Sequence, residues 1–437
     1  MNQPGVKLLC LCLLLGGILR AEVHKLSLQQ ALQIALRQNP DAALARLDAF
    51  RAQHDIEIAG NLFSPKMNLR GDAVYTTGYP NAIGPDSHSP SILHQQTDMA
   101  LYNRPQRYQV AAARQDAEGA KISAKAEADE VAEQIASLYL DVEEAVREEK
   151  SLEGEAQSDR KMADATSAKV NAGYVLPVEL LRSRVETTQT LQRLHAAAAD
   201  RDYSESLLAV ALGFSANDSV EPAEPEEDFS VPAMKSREQA VNEALLNNKN
   251  LQRLESNMLA RRLERKSFGA FRIPQIDLVE QYSLFAARTY ADYFPTDKFQ
   301  RNNAELGASF TLPILIGPEP GARLEQADID EEKLEVQISD LVHHIRADTE
   351  RSLDELQKAA TALNVAQQEL DLAHDETGIT QAQYSEGRSL PSDVARALAA
   401  ESQKQLDVYQ RENDAQRMKL TVLRQLGNLM NTLLANR

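Results

Sequence analysis

The chain has 437 residues, a formal net charge of -18, 43% hydrophobic and 5% aromatic residues, and no Trp. Such an acidic surface repels nucleic acid, and abundant Ala, Leu, Glu, Gln and Arg favour long helices packed through small side chains over one bulky core. After the N-terminal segment, no apolar stretch approaches the roughly 18 consecutive residues of a membrane-spanning helix.

Lys7 precedes an apolar run from Leu8 to Ile18, then Leu19, Arg20 and Ala21, which reads as a secretory signal peptide over 1–21, cleaved after Ala21. Cys10 and Cys12, the two cysteines, lie inside it, and neither follows the small residue that a lipoprotein signal places before its lipidated cysteine. The mature chain would carry no thiol chemistry, and loss of Lys7 and Arg20 would take its charge to -20.

The rest is written twice. Ser27, Gln30, Ala31, Ala35, Leu36, Asn39 and Pro65 recur 209 residues later as Ser236, Gln239, Ala240, Ala244, Leu245, Asn248 and Pro274. Gly173, Leu176, Pro177, Arg182 and Gly213 recur 214 residues later as Gly387, Leu390, Pro391, Arg396 and Gly427, with Glu179 answered by Asp393. The period is too long for a solenoid, so residues 22–214 and 236–437 are two structural repeats. An acidic, Pro-rich linker over 215–235 joins them, holding Glu221, Glu224, Glu226, Glu227 and Asp228, and is expected to be solvated.

Each repeat opens on a helix with a capping-box pair, Ser27 with Gln30 and Ser236 with Gln239. Asn39 and Pro40 restart the first helix, which should run to about Ala59. The period then switches to two, with Met67, Leu69, Ala73 and Tyr75 on one face and Asn68, Arg70 and Asp72 on the other. The second copy has Ile276, Leu278, Tyr282 and Leu284 on one face, broken by Glu280. Returning strands are predicted over Leu306 to Ile314 and, more weakly, Asp98 to Tyr102. Between the strands lie exposed loops, 78–90 and 286–303, the second with Tyr290, Tyr293 and Phe294. Periodicity alone fits two half-buried soluble hairpins as well as it fits tilted strands of an outer-membrane barrel. Two hairpins cannot close a barrel alone, so the barrel reading requires an oligomer.

From about Gln106 to Asn171 no proline interrupts, which predicts one helix near 65 residues and about 100 Å long. Ala128, Val131, Ile135, Leu138, Val142 and Ala145 keep the 3.5-residue average of a coiled coil, as do Leu334, Ile338, Leu341 and Ile345, then Leu363, Ala366, Leu370 and Ala373. Each long helix should end at Gly173 or Gly387 and restart at Pro177 or Pro391, with Glu179 or Asp393 complementing the new N-terminus. Two helical hairpins follow.

This order, and above all the doubled tip Asn171 to Leu180 and Tyr384 to Val394, resembles the TolC-like outer-membrane efflux factors over nearly the whole mature chain. The resemblance implies a mainly α fold with a small β part: duplicated long coiled-coil hairpins, plus two β-hairpins that complete a 12-stranded outer-membrane barrel in a homotrimer. It also implies a passive exit duct of a tripartite efflux or type I secretion system. Such a duct is set in outer-membrane lipid, extends into the periplasm of a Gram-negative-type cell, and works with a periplasmic adaptor (a membrane fusion protein) and an inner-membrane pump. Gly173, Tyr174, Val175, Gly387, Arg388 and Ser389 would be the adaptor-docking tips, and Glu179, Tyr384 and Asp393 the periplasmic gate. Relatives carry an arginine where Ser389 stands and a second carboxylate where Arg396 stands, so this entrance should be more lightly latched. Capping of a helix start is the competing role for Glu179 and Asp393.

No catalytic residue and no cofactor is expected. His343 and His344 are neighbours on a helix and point apart, His88 and His94 have only Asp86 and Asp98 near them, and no metalloprotease, phosphate-loop or nucleophile-elbow motif occurs. The competing function is a periplasmic coiled-coil adaptor or scaffold outside the outer membrane, for which one hairpin joined to compact β domains would be expected. The motifs set a route and no cargo, since drugs, metal ions and polypeptides all suit such a duct.

Overall fold

The computed structural model describes residues 23–71, 91–215, 217–223, 229–232, 236–285, 300, 302–315 and 317–435. The expected signal peptide, strand residues Asp72 to Tyr75, the loop 78–90 with Asp86 and His88, the aromatics Tyr290, Tyr293 and Phe294, and linker residues Glu224 to Asp228 lie outside them.

The predicted punctuation is present. Strand β1 (Val23–Leu26) leads into helix α1 (Leu28–Gln38), capped by the reciprocal Ser27 and Gln30 pair. Asn39 accepts from the backbone of Asp41 and Ala42 and Pro40 opens α2 (Pro40–Gly60). After β2 (Lys66–Gly71) and β3 (Ser91–Tyr102) comes α3 (Arg104–Asn171), 68 residues long, then α4 (Pro177–Ala211). Strand β4 (Ser219–Pro222) separates the repeats. The second repeat runs α5 (Arg237–Asn247), α6 (Lys249–Gly269), β5 (Gln275–Phe285), β6 (Asn302–Thr311), α7 (Glu319–Ser385), α8 (Pro391–Gln425) and α9 (Leu429–Ala435).

Four strands form one antiparallel sheet in the order β2-β3-β5-β6. Each continues into a long helix, and α2, α3, α6 and α7 pack side by side in that same order. Partners across a ladder share a face. The register therefore gathers Met67, Leu69, Met99, Ile276, Leu278, Leu306 and Phe310 on one face, and Asn68, Arg70, His94, Gln96, Asp277, Ser283 and Ser309 on the other. Glu280 sits on the apolar face opposite Thr97 and accepts hydrogen bonds from Gln95 Nε2 at 3.0 and 3.2 Å.

Two strands differ from expectation. The return strand reaches Thr311 rather than Ile314, because Pro313 has no N–H for a ladder. The weak strand at Asp98 to Tyr102 extends back to Ser91: it lies inside the sheet, and Gln95 and Thr97 on its apolar face blur the alternation.

Past the sheet, the helices meet a belt of core. Leu28, Leu32 and Ala35 of α1 pack on Ile135 and Tyr139 of α3, Leu208 of α4 and Leu212 just after it, and Leu420 and Leu423 of α8. Tyr139 donates its hydroxyl to the Leu26 carbonyl at 3.1 Å. Among the described linker residues, 219–222 and Phe229 join this belt, which departs from the solvated expectation at those positions. Residues 219–222 pair in parallel with β1, and Val220 and Phe229 are buried, because apolar side chains among the prolines and acids find the α1 core. In the second repeat Ala240, Ala244, Leu251, Ile345, Val422 and Leu426 make the matching cluster.

The glycines obey the duplication as well. Gly173, Gly213, Gly387 and Gly427 all have φ between 73° and 87°. A side chain at Gly213 or Gly427 would also run into Gln38 or Asn247, so each hairpin end is seated on the first helix of its own repeat.

Candidate functional site at the hairpin tips

Beyond the belt, α3 with α4 and α7 with α8 run on as two hairpins. Inside each, the predicted 3.5-residue seams are the buried lines: Val131, Ile135 and Val142 near the belt on α3, and Ile345, Ala366 and Ala373 on α7.

Both tips close alike. Gly173 and Tyr174 donate backbone bonds to the carbonyls of Val170 and Lys169, and Gly387 and Arg388 to those of Tyr384 and Gln383, all at 2.9 to 3.0 Å. This is a helix end that requires positive φ at the glycine. Nothing crowds either glycine, so backbone conformation alone selects it. Tyr174 is 83% exposed at the very end, and Arg388 pairs with Glu386 at 2.8 Å.

The predicted gate residues separate. Asp393 caps its helix: it accepts from the Leu390 N–H at 3.1 Å, Ser389 Oγ at 3.3 Å and Arg396 at 2.8 Å. Ser389 and Arg396 thus both turn to Asp393 here. Glu179 does not cap. It is 6% exposed, Oε1 accepts from Arg182 at 2.7 Å, and Oε2 is buried with no hydrogen-bonding partner. Tyr384 meets Lys169 of α3, whose Nζ donates to the phenol oxygen at 2.6 Å and lies 3.9 Å from the ring centroid. The expected contact of Tyr384 with Glu179 is not among the hydrogen bonds within the chain.

Sequence reading missed a line of buried polar groups behind the first tip. Glu155, Asp159 and Thr166 of α3 face Glu179, Ser183 and Thr190 of α4, all buried. Thr190 donates to Asp159 at 2.7 Å and to Glu155 at 3.3 Å, Arg193 pairs with Glu155, and Ser402 of α8 donates to Glu155 at 2.6 Å. Burial pushes the Asp159 carboxyl above its usual range, opposed by the Thr190 bond and reinforced by Glu155. Burial also raises Glu186, reinforced by Asp159 and opposed by Arg396. The available signal was Glu179, Ser183, Glu186 and Thr190 standing at coiled-coil spacing where apolar residues would normally sit.

Of His88, His94, Asp86 and Asp98, the described residues include His94 and Asp98. His94 Nδ1 is 2.9 Å from Ser283 Oγ and the ring is close to Gln281, and Asp98 accepts from Gln96. Among the described residues no three His, Cys, Asp or Glu gather to hold a metal. No helix among those residues is long and apolar enough to cross a membrane.

Residues 240–428 match the family model for outer membrane efflux proteins. The second repeat is an outer membrane efflux protein domain. No curated protein sequence matches the chain. Its fold matches solved channels: CusC with a TM-score of 0.75 at 15% identity over 92% of each chain, CmeC of Campylobacter jejuni with 0.72 at 14% over 92% of this chain and 86% of that one, and VceC of Vibrio cholerae with 0.72 at 16% over 92% and 96%. The resemblance to TolC-like outer-membrane efflux factors is borne out by the family match in the second repeat and by the fold of nearly the whole chain.

Proposed function

We propose that three copies of this chain form a passive exit duct through the outer membrane of a Gram-negative-type cell, serving a tripartite efflux or type I secretion system with no catalysis of its own. The observation that supports it best is the sheet. Among the described residues its outer strands β2 and β6 are each paired on one side only, and Met67, Leu69, Leu306 and Phe310 on one face are 64 to 75% exposed. An isolated sheet with bare edges and an apolar face invites aggregation. Pairing β6 of one copy with β2 of the next would close a 12-stranded barrel, satisfy both edges, and turn the apolar face to lipid. A periplasmic scaffold would leave these edges and this face uncovered.

In this reading the tips at Gly173 to Val175 and Gly387 to Ser389 dock the periplasmic adaptor of an inner-membrane pump, and Glu179, Tyr384 and Asp393 belong to the gate. Aspartate at Leu69 or Phe310 is expected to abolish heat-modifiable trimers in the outer-membrane fraction, while aspartate at Asn68 or Ser309 leaves them. Equal tolerance at both pairs, or soluble protein after signal cleavage, would return the scaffold reading.

A further inference from the structure

The sheet passes into the helices at two junctions that carry different charge. Near the end of α6, Ser267 donates its hydroxyl to the carbonyl of Pro105 at the start of α3 at 2.9 Å, which sets both junctions at one level. At the second, Phe268 stacks on Phe271 and Arg323 lies 5.9 Å from the Phe268 ring centroid, but Arg323 pairs with Glu319 at 2.7 Å and Arg265 with Asp328, so charge there is matched. At the first, Arg104 donates to the Tyr108 hydroxyl at 3.2 Å and Arg107 lies 5.4 Å from the Tyr102 ring centroid. Both arginines are exposed, the first turn of α3 holds no acid, and among the described residues neither arginine pairs with a carboxylate. Helix capping does not account for them, since the dipole disfavours a cation at a helix start. In a chain of net charge -18 this is a patch of two unmatched positive charges.

The sheet decides what can match that charge. Tyr102 stands opposite Ile276, and Ile276 opposite Phe310, so Tyr102 belongs to the apolar face and marks its end nearest the helices. We infer that Tyr102, Arg104, Arg107 and Tyr108 hold the phosphate of an anionic phospholipid in the periplasm-facing leaflet; the inference rests on the reading of the apolar face as lipid-facing. Acyl chains laid along Ile276 and Phe310 bring a headgroup to the level of the first turn of α3. There a guanidinium fork matches phosphate oxygens, and tyrosine rings suit the membrane–water boundary. Tyr108 accepts from Arg104 and so keeps its own proton to donate to the phosphate. A zwitterionic headgroup would bring its ammonium against the guanidiniums, so a headgroup of net negative charge is the better match. The duplication does not supply the patch twice: at the 214-residue offset the positions matching Arg104 and Arg107 are Pro318 and Gly321. Each chain therefore has one such site.

The chain has no Trp, so Tyr102→Trp gives a single fluorescent reporter and keeps an aromatic ring beside Arg107. The purified full chain carrying it is reconstituted in mixed vesicles of phosphatidylcholine and phosphatidylglycerol, with one lipid or the other brominated on its acyl chains near the headgroup. The ratio of quenching by the two reads the headgroup preference at the site. Phosphatidylglycerol should be preferred by about fivefold per arginine, and the preference should vanish when Arg104→Gln and Arg107→Gln are combined. A second measurement leaves both arginines in place: raising the salt concentration should lower the preference several-fold. The site is overturned if the reporter protein is quenched equally by the two lipids, if the preference survives in the double variant or is indifferent to salt, or if inorganic phosphate at constant ionic strength abolishes it, which would make this a site for free phosphate. Absence of quenching by either lipid would place Tyr102 outside the bilayer and remove the lipid-facing reading together with the site.

Discussion

The two hairpins share one plan of punctuation and differ in what they bury. Behind the first tip the seam buries the carboxylates Glu155, Asp159 and Glu179 with Thr166, Ser183 and Thr190; behind the second it holds Ala366, Ala373, Val394, Ala395 and Leu406 with Thr377 and Ser392, and no buried carboxylate is among them. Small apolar side chains let two helices approach and need no partner. Buried carboxylates need donors, and Glu179 Oε2 and Glu186 Oε2 have none. Duplication has thus kept the turns, which fix where each hairpin ends, and let the seams diverge into one hairpin that buries no carboxylate and one whose packing depends on buried charge and its donors.

What the hairpins share can be broken first. Valine at Gly173 or Gly387 forces a β-branched residue into positive φ, a penalty of about 1–2 kcal/mol or more where Cβ is branched. Either change should abolish export while trimers persist in the membrane fraction, and crosslinking from Tyr174 should trap the adaptor only in the parent. Equal loss at the two tips would mean that the plan of turns, common to both hairpins, is what docking requires.

The difference between the seams predicts unequal effects of one chemical change. Thr190→Val removes the donor shared by Asp159 and Glu155; Glu155 keeps Arg193 and Ser402, while Asp159 Oδ2 loses the Thr190 bond, for about 1–3 kcal/mol. Thr377→Val removes a hydroxyl that donates to the backbone carbonyls of Ala373 and Ala397, each of which has other means of satisfaction, so less than about 1 kcal/mol is expected. The dissociation temperature of the trimer, or protease nicking of each hairpin, compares them directly. A larger loss from Thr377→Val would reverse the assignment of the conditional hairpin.

The features legible in the chain were those with local causes. Asn39 and Pro40, the tip glycines and the proline restarts each satisfy or remove backbone groups within a few residues, so type and spacing suffice to read them. The 3.5-residue seams were legible for the same reason. The pairing of β1 with β4 was hidden because it joins residues almost 200 positions apart with no turn to announce it. The interior strand β3 was half hidden because Gln95 and Thr97 interrupt its apolar face. At the tips, Asp393 was readable as a cap, while the burial of Glu179 and the contact of Lys169 with Tyr384 depend on how separate helices settle against one another, which no local pattern encodes.

A smaller effect should come from pH. The folded carboxyls of Asp159 and Glu186 lie above their ordinary values of 3.8 and 4.5, so the packed hairpin binds more protons than the separated one. Their contribution to packing is fully present below those ordinary values and is lost as pH rises through the raised ones. Hydrogen-exchange protection, corrected for the intrinsic pH dependence of exchange, should therefore fall over the last turns of α3 and the first turns of α4 from mildly acid to neutral pH, by less than about tenfold, while the tip-side turns of α7 and α8 change little. Asp159→Asn with Glu186→Gln should flatten the difference. A matching pH response in the second hairpin would assign it to the trimer as a whole.

The smallest effect is expected at Asp393. Three copies would place three carboxylates around the entrance, a ring that favours cations. Yet each already accepts from the Leu390 N–H, Ser389 Oγ and Arg396, and the guanidinium at 2.8 Å offsets much of its field. Asp393→Asn should thus lower cation selectivity in reversal-potential measurements only modestly, by less than about a factor of two, the scale of a solvent-screened surface charge. Arg396→Gln, which unmasks the ring, should raise selectivity by more than Asp393→Asn lowers it. If neither variant moves the reversal potential, Asp393 serves its helix start alone, and the charge that sorts ions lies with the acids behind the first tip.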